Sequence, residues 1–420
     1  MIPDLLSQYA SVRRWSERIA EPLSPEDCVV QSMPDTSPIR WHLAHTTWFF
    51  ETFVLKRQQG YEVFDPAFEF LFNSYYNAVG EQFPRSQRGL MTRPSLFQVL
   101  DYRQHVDRAL RDLLESGQLE ASEADLIVLG LQHEQQHQEL MLTDLKHLLS
   151  LNPLFPAYRN LPLKRGRFPG TPSRPFAEIV GGGLVEVGYQ GNGFCFDNEL
   201  PRHPVFLHPF RLQENLVTCG EYLEFMQAGG YSNPEFWLSL GWSAVCENGW
   251  TSPLYWYSRG SGWEIFTTSG RMPLDPDWPV CHVSYFEADA FARWKGKRLP
   301  TEFEWEAACQ STRPTGEEEP AAPFLDNLLQ AELAVHPTAP GQGMWGSVWE
   351  WTSSSYQPYP GFRPAAGAVG EYNGKFMCNQ QVLRGGSVAT ISDHIRSSYR
   401  NFFAPETRWQ FSGIRLAEFV

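Results

Sequence analysis

The chain contains no apolar run long enough to cross a bilayer, no CxxC pair and no repeat of fixed period. Positive charge is scarce as well: 34 Lys and Arg stand against 48 Asp and Glu, for a formal net charge of -14. A chain this acidic lacks the basic surface that grips nucleic-acid phosphates, so no nucleic-acid partner is expected and the acidity is read as ordinary solubility. The seven cysteines are odd in number and scattered, which fits reduced thiols and not a disulfide framework. The opening MIPDLLSQYASVRRW lacks the apolar core of a signal peptide. Together these absences predict a soluble, cytoplasmic protein with no membrane partner.

Aromatics are abundant at 14%, with 15 Trp, beside 32 Pro and 33 Gly. This is the composition of a loop-rich protein that shapes pockets from rings. At 420 residues two or three domains are expected. Over the first 150 residues, apolar side chains recur at three- and four-residue intervals in LSQYASVRRWSERIA, HLAHTTWFFETFVLKR, LFQVLDYRQHVDRALRDLLES and EADLIVLGLQHEQQHQELMLTDLKHLLS. Residues 1–151 are therefore read as a four-helix bundle. Its last helix is capped by Ser122 or an acidic neighbour and runs towards Leu149. Residues 152–175, rich in proline and basic side chains, form a connector. From 176 to 420 the segments GGGLVEVGY and PVFLHPFRLQ look like strands, and VTCGEYLEFMQ and YFEADAFARWKG like short helices. This half is an α+β domain, with STRPTGEEEPAAP near 311 as a polar surface insertion.

The sharpest local feature is His133-Glu134-Gln135-Gln136-His137. Residues i and i+4 of a helix share a face, so both imidazoles can reach one metal ion. The same run matches HExxH, in which the Glu serves zinc proteases as general base. The extended form fails, because positions 140 and 143 are Leu and Thr, while a more distant Glu ligand stays open. A third histidine lies upstream in Trp41-His42-Leu43-Ala44-His45, where one of His42 and His45 can face the bundle interior as ligand and the other serve as a hydrogen-bonded structural residue. Three neutral histidines leave an octahedral ion three open positions, similar to the facial triad of iron oxygenases with a third His in place of the carboxylate. Such an ion keeps its full charge and favours an anionic thiolate. Zinc with three histidines and water fits the same residues.

WHLAHTTWFFE followed by HEQQHQEL resembles the bundle of the ergothioneine-biosynthesis sulfoxide synthases. RLPTEFEWEAA, GSVWEWTSS, LRGGS and FSGIRLA independently resemble the formylglycine-generating-enzyme (sulfatase-modifying) fold, a C-type-lectin-like α+β domain. The two in this order cover nearly the whole chain and imply a DinB-like bundle followed by a lectin-like domain. Such enzymes use Fe(II) and O2 to join a thiol to imidazole C2 of hercynine as a sulfoxide. The resemblance assigns the metal to His45, His133 and His137 and leaves His42 structural. FNSYYNAVGEQFPRSQRGLMTRP is similar to the subgroup that draws its catalytic tyrosine from this domain, which singles out Tyr75 and Tyr76. Arg85 and Arg88 suit the carboxylate of a small amino-acid thiol. Gln136 and Asn401 are implied hercynine contacts, and Phe402, Phe403 and Trp409 candidates for the box around its trimethylammonium.

The thiol, cysteine or γ-glutamylcysteine, is open, as are ovothiol- and selenoneine-type chemistry, a metal-dependent thiol transferase, a zinc hydrolase and a pure binding protein. Formylglycine-generating activity is not supported, since SSYRNFF lacks the cysteines that chemistry needs. Oligomeric state is not legible in these motifs.

Overall fold

The helical periodicity of the first 150 residues becomes α1 (Ile2–Ala20), α2 (Ile39–Phe53), a short α3 (Phe68–Phe72), α4 (Leu96–Ser116) and α5 (Ala121–Ser150) in the computed structural model, which describes residues 2–163, 182–260, 262–311, 323–338 and 343–420. The chain divides into two units: Met1–Leu154 with Ala365–Tyr372, and Phe155–Pro364 with Asn373–Val420. The short segment 365–372 thus belongs with the bundle, although it lies within the sequence stretch read as the second domain. Of the expected connector, 164–175 falls outside the described residues, as does the polar insertion from 312 to 322.

α2 is the central helix of the first unit, buried at every position except Thr52 and packed against both α4 and α5. Its buried polar side chains are met inside the bundle: Arg40 by the Pro94 carbonyl, His42 by Asp144, His45 by the Phe72 carbonyl and Glu51 by the Tyr102 hydroxyl. It stops at Phe53 and tightens into a 3₁₀ turn over Leu55–Arg57, where the sequence pattern alone carried it on to Arg57. At Gly130 of α5 a Cβ atom would lie 2.5 Å from the Phe50 ring, so only glycine lets α5 come this close to α2, one turn before His133. α5 begins one turn from Glu123, whose carboxylate accepts the Glu120 N–H at 3.0 Å. The acidic neighbour caps the helix, and Ser122 lies inside its first turn.

The helices are held in register by buried charge. Glu134 of α5 is wholly buried, and its carboxylate accepts from Arg13 (2.8 Å) and Ser16 (2.6 Å) of α1 and from Arg103 of α4 (3.1 Å). Arg13 also donates to Thr47 of α2 at 2.9 Å and to Asp107 of α4 at 2.8 Å.

In the second unit, β1 (Gly183–Val187) pairs antiparallel with β2 (His203–Leu207), and β3 (Phe210–Leu212) with β11 (Ala417–Phe419). β4 (Trp256–Arg259), β5 (Gly262–Thr267) and β6 (Gly270–Pro273) form a meander. The main sheet runs β10 (Ser412–Gly413), β7 (Trp349–Ser355), β8 (Gln381–Arg384), β9 (Asn401–Phe403), with β10 parallel to β7 and the rest antiparallel. Helices α6 (Cys219–Gln227), α7 (Ser239–Asn248), α8 (Tyr285–Trp294), α9 (Glu302–Ser311) and α10 (Leu325–Gln330) complete it. The sequence motifs meet in its core. Glu350 accepts from the Trp305 indole at 2.7 Å and from Arg415 through two bonds of 2.7 Å. Arg384 reaches Glu302 (2.9 Å) and Glu306 (3.1 Å), and Arg400 also pairs with Glu302. Gly385, at φ 98°, makes the left-handed turn that lets the chain leave β8 beside Trp305.

Replacing Glu134 tests the helix register. Burial alone would raise its pKa, but Arg13 and Arg103 hold it below the usual 4.5. Its stabilisation is therefore present above about pH 4.5 and lost as pH falls below it. Glu134→Gln leaves two buried guanidinium groups short of charge and should cost about 3–5 kcal/mol in urea unfolding at neutral pH. A loss below about 1 kcal/mol would show that the network does not set the packing.

Candidate metal centre

His45 on α2 and His133 and His137 on α5 are all buried, and their ligand nitrogens lie within 4.8 Å of one another. Each ring is turned by a hydrogen bond at its far nitrogen or by packing. His45 Nδ1 meets the Phe72 carbonyl at 2.6 Å, so Nδ1 carries the hydrogen and Nε2 keeps its lone pair, 3.2 Å from His133 Nε2. His137 Nδ1 meets His42 Nδ1 at 2.8 Å, and His42 Nε2 meets Asp144 Oδ2 at 3.1 Å. A carboxylate accepts only, so His42 Nε2 donates to Asp144 and His42 Nδ1 accepts from His137. This leaves His137 Nε2 as the lone pair for the cluster. Asp144 is itself fixed by the Ser37 N–H at 2.8 Å. The spacing 133, 137, 144 keeps all three residues on one side of α5, a signal present in the sequence and overlooked there.

The imidazoles are neutral. Burial, followed by the neighbouring His133, pushes His45 well below its ordinary value; burial and then His133 and His45 do the same to His137. His133 is lowered by burial to about 3. Three convergent, deprotonated nitrogens with no carboxylate among them fit a borderline divalent cation such as Fe(II) or Zn(II). Glu134 is not available as a hydrolytic base, because both carboxylate oxygens are held by Arg13, Arg103 and Ser16. The HExxH pattern here is a pair of converging histidines around a structural anion.

Stacked rings extend from the cluster. Trp41 and Trp48 lie against His45 with centroids at 4.5 and 5.5 Å, each 14° from parallel. The Arg88 guanidinium sits 3.4 Å from the Trp41 ring centre and donates to Ser37 (2.9 Å) and Ser74 (3.0 Å). Arg88 is 3% exposed, and no carboxylate pairs with it among the described residues. Burial and then Arg85 push its pKa down. Arg85 behaves differently: it is exposed and spends a donor on the Asp35 carbonyl.

Tyr75 and Tyr76 stack on each other with centroids 4.7 Å apart. Tyr76 is wholly buried among Trp48, Phe49 and Phe53, and burial keeps both phenols protonated. Each is one ring away from a cluster histidine: Tyr76 through Trp48 to His45, Tyr75 through Tyr372 to His133 (centroids 6.3 and 5.6 Å). Gln136 accepts a hydrogen bond from the Tyr372 hydroxyl. Asn401, Phe402 and Phe403 are half-buried on β9 of the second unit. Asn401 Oδ1 accepts from the Phe402 N–H at 2.9 Å, and Phe402 stacks on Tyr356 at 4.0 Å. Trp409 is half-buried in the same unit.

Among the described residues no helix is long and apolar enough to cross a membrane, and all seven cysteines are free. Asp144→Ala should weaken divalent-cation binding about 10–100-fold, because it removes the acceptor that orients His42 and through it His137. Isothermal titration with Co(II) reads this directly. Since the histidines are already neutral, affinity should stay nearly level from pH 7 to pH 5; a steep fall centred on pH 6.5 would mean they titrate as exposed imidazoles do.

Residues 8–141 match the DinB superfamily model, and residues 170–334 and 339–419 the sulfatase-modifying factor enzyme 1-like domain. The hercynine oxygenase of Mycolicibacterium thermoresistibile is 34% identical over 91% of this chain and 88% of its own. That of Mycobacterium tuberculosis is 34% identical over 98% of both chains. The formylglycine-generating enzyme of Streptomyces coelicolor is 32% identical but covers 52% of this chain and 82% of its own, so it shares one half only. Identity and coverage that run through both halves place the chain in the hercynine oxygenase family of enzymes.

Proposed function

We propose that the protein is an Fe(II)- and O2-dependent sulfoxide synthase that joins hercynine, at imidazole C2, to cysteine. The observation that carries this reading is the trio of neutral histidines, His45, His133 and His137, without a ligand carboxylate and with Glu134 engaged elsewhere. The family relatives named hercynine oxygenase support the substrate. The reaction balances as hercynine plus thiol plus O2 giving sulfoxide plus water. The C2–H and S–H bonds break, C–S and S=O bonds form, and both hydrogens leave in the water. Iron, when bound, supplies the electron exchange with O2 and a common centre for the reactants.

The chain's own residues then have definite tasks. His42 and Asp144 hold His137 with its lone pair inward. Arg88, a buried cation without a carboxylate, offers the cysteine carboxylate a partner. Arg85, exposed and bonded to a carbonyl, is left as a secondary contact. Tyr75 and Tyr76, held protonated by burial, can deliver a proton from Oη to the reduced oxygen. Of the expected hercynine contacts Gln136 stands in the same unit as the histidines, and it is assigned to the carboxylate. A cytoplasmic location agrees with the free thiols.

The test is anaerobic loading with Fe(II), then O2, hercynine and cysteine, with mass spectrometry of products. Hercynyl-cysteine sulfoxide should form, and His137→Ala should abolish both product and metal binding. Turnover with γ-glutamylcysteine or a selenium sugar in place of cysteine would change the donor and keep the centre. Tyr75→Phe and Tyr76→Phe should keep iron, with at least one diverting turnover to thiol dioxygenation; unchanged yields in both would remove the tyrosines from the mechanism. Arg88→Met should raise KM for cysteine about 30–100-fold, a lost charge-assisted contact, with a much smaller effect on hercynine. An equal rise for both substrates would argue against the carboxylate assignment.

A further inference from the structure

Residues 365–372 are separated from the end of α5 by more than two hundred positions, yet they belong to the bundle's unit. Their last two side chains make its polar contacts. The Glu371 carboxylate accepts from two successive backbone N–H groups, Asn77 at 3.1 Å and Ala78 at 2.8 Å. Those amides open the turn directly after Tyr75 and Tyr76. The turn is otherwise tied by two backbone bonds of 3.0 Å, from Asn77 N–H to the Tyr75 carbonyl and from Val79 N–H to the Tyr76 carbonyl, and by Asn73, whose side chain bonds the Tyr76 N–H and carbonyl at 3.0 Å and the Gly80 carbonyl at 3.2 Å. Tyr372 is buried, donates its hydroxyl to the Gln136 side-chain oxygen, and lays its ring edge-on to His133 and to Tyr75.

We propose that Glu371 and Tyr372 form a positioning pair that completes the centre from outside the helical sequence, Glu371 clamping the tyrosine turn and Tyr372 orienting Gln136 beside the ligand histidines. A carboxylate that takes two adjacent N–H groups fixes the peptide plane between them, not merely its distance. A hydroxyl that holds the Gln136 oxygen sets which end of the amide faces Tyr372, so the donor end is turned away from it. Gln136 lies between the two ligand residues of α5, and its orientation therefore bears on whatever binds next to them. The tyrosine ring at the same time walls His133 on the side of Tyr75. None of these contacts touches a ligand nitrogen, so the pair acts on geometry and leaves metal affinity alone.

The catalytic part rests on the sulfoxide-synthase reading; the clamp does not. Hydrogen–deuterium exchange of the unliganded full chain tests the clamp first. Glu371→Ala should speed exchange in peptides covering 73–80 at least fivefold, with α5 unchanged. Unaltered exchange there would overturn the clamp whatever the enzyme makes. Tyr372→Phe keeps the ring and removes the hydroxyl. With wild-type turnover established, it should raise KM for hercynine about tenfold, the effect of one hydrogen bond, with kcat and Co(II) affinity changed less than twofold. A variant with wild-type KM, or one that loses kcat and metal together, would overturn the role of Tyr372. Failure of the wild-type enzyme to make a sulfoxide would instead remove the proposed function and leave the exchange result standing.

Discussion

The bundle depends on one buried anion. Glu134 sits next to a cluster histidine in sequence but faces the other way, into Arg13, Arg103 and Ser16. Because Arg13 continues to Thr47 and Asp107, and Arg103 to the Leu43 carbonyl, the one carboxylate links α1, α2, α4 and α5. A buried charge tolerates little misplacement, since every unmade bond exposes a desolvated group at full cost. Sliding α5 along α2 would break this set before it moved the histidines appreciably. The histidine cluster is therefore placed by a polar network on another face of the helix, with Gly130 setting how closely the two helices approach.

That arrangement explains what the sequence could and could not tell. His133 and His137 were legible because the helical period is short-range, and His45 because it repeats on a neighbouring helix. The role of Glu134 was not legible: HExxH specifies spacing, and whether its Glu faces the metal depends on arginines 121 and 31 residues away. Tyr372 was invisible for the same reason in stronger form, since it lies 236 residues from Gln136 within a stretch that has no periodicity of its own. Arg85 and Arg88 looked equivalent at a spacing of three, but burial separated them. The first bonds a surface carbonyl, while the second is stacked on Trp41.

The second half was recognisable for a physical reason that differs from catalysis. Trp305, Glu350 and Arg415 come from three of the motifs that carried the resemblance, and they form one buried cluster. Arg384 of LRGGS, the remaining motif, is anchored on Glu302 and Glu306 of the motif that carries Trp305. Removing any partner strands the others, so such residues mark a fold whatever chemistry it carries. The formylglycine-generating enzyme shares this half at similar identity, and the shared motifs carry no information about substrate.

Substrate information resides instead in uncompensated charge. The three histidines are neutral and Glu134 is already paired, so the cluster itself contains no carboxylate, and the nearest acidic partner on the page, Asp144, acts through His42. Arg88 adds a buried positive charge one stacked ring from His45. At low effective dielectric such like charges repel strongly unless a counter-charge enters between them. Under the proposed function a thiol amino acid would bring two negative groups, a thiolate for a bound metal and a carboxylate for the guanidinium. A substrate with only one of these would leave the other cation unmatched. On the proposed function, a small amino-acid thiol would be favoured by the charge of Arg88 and by three neutral imidazoles that leave a bound dication its full charge.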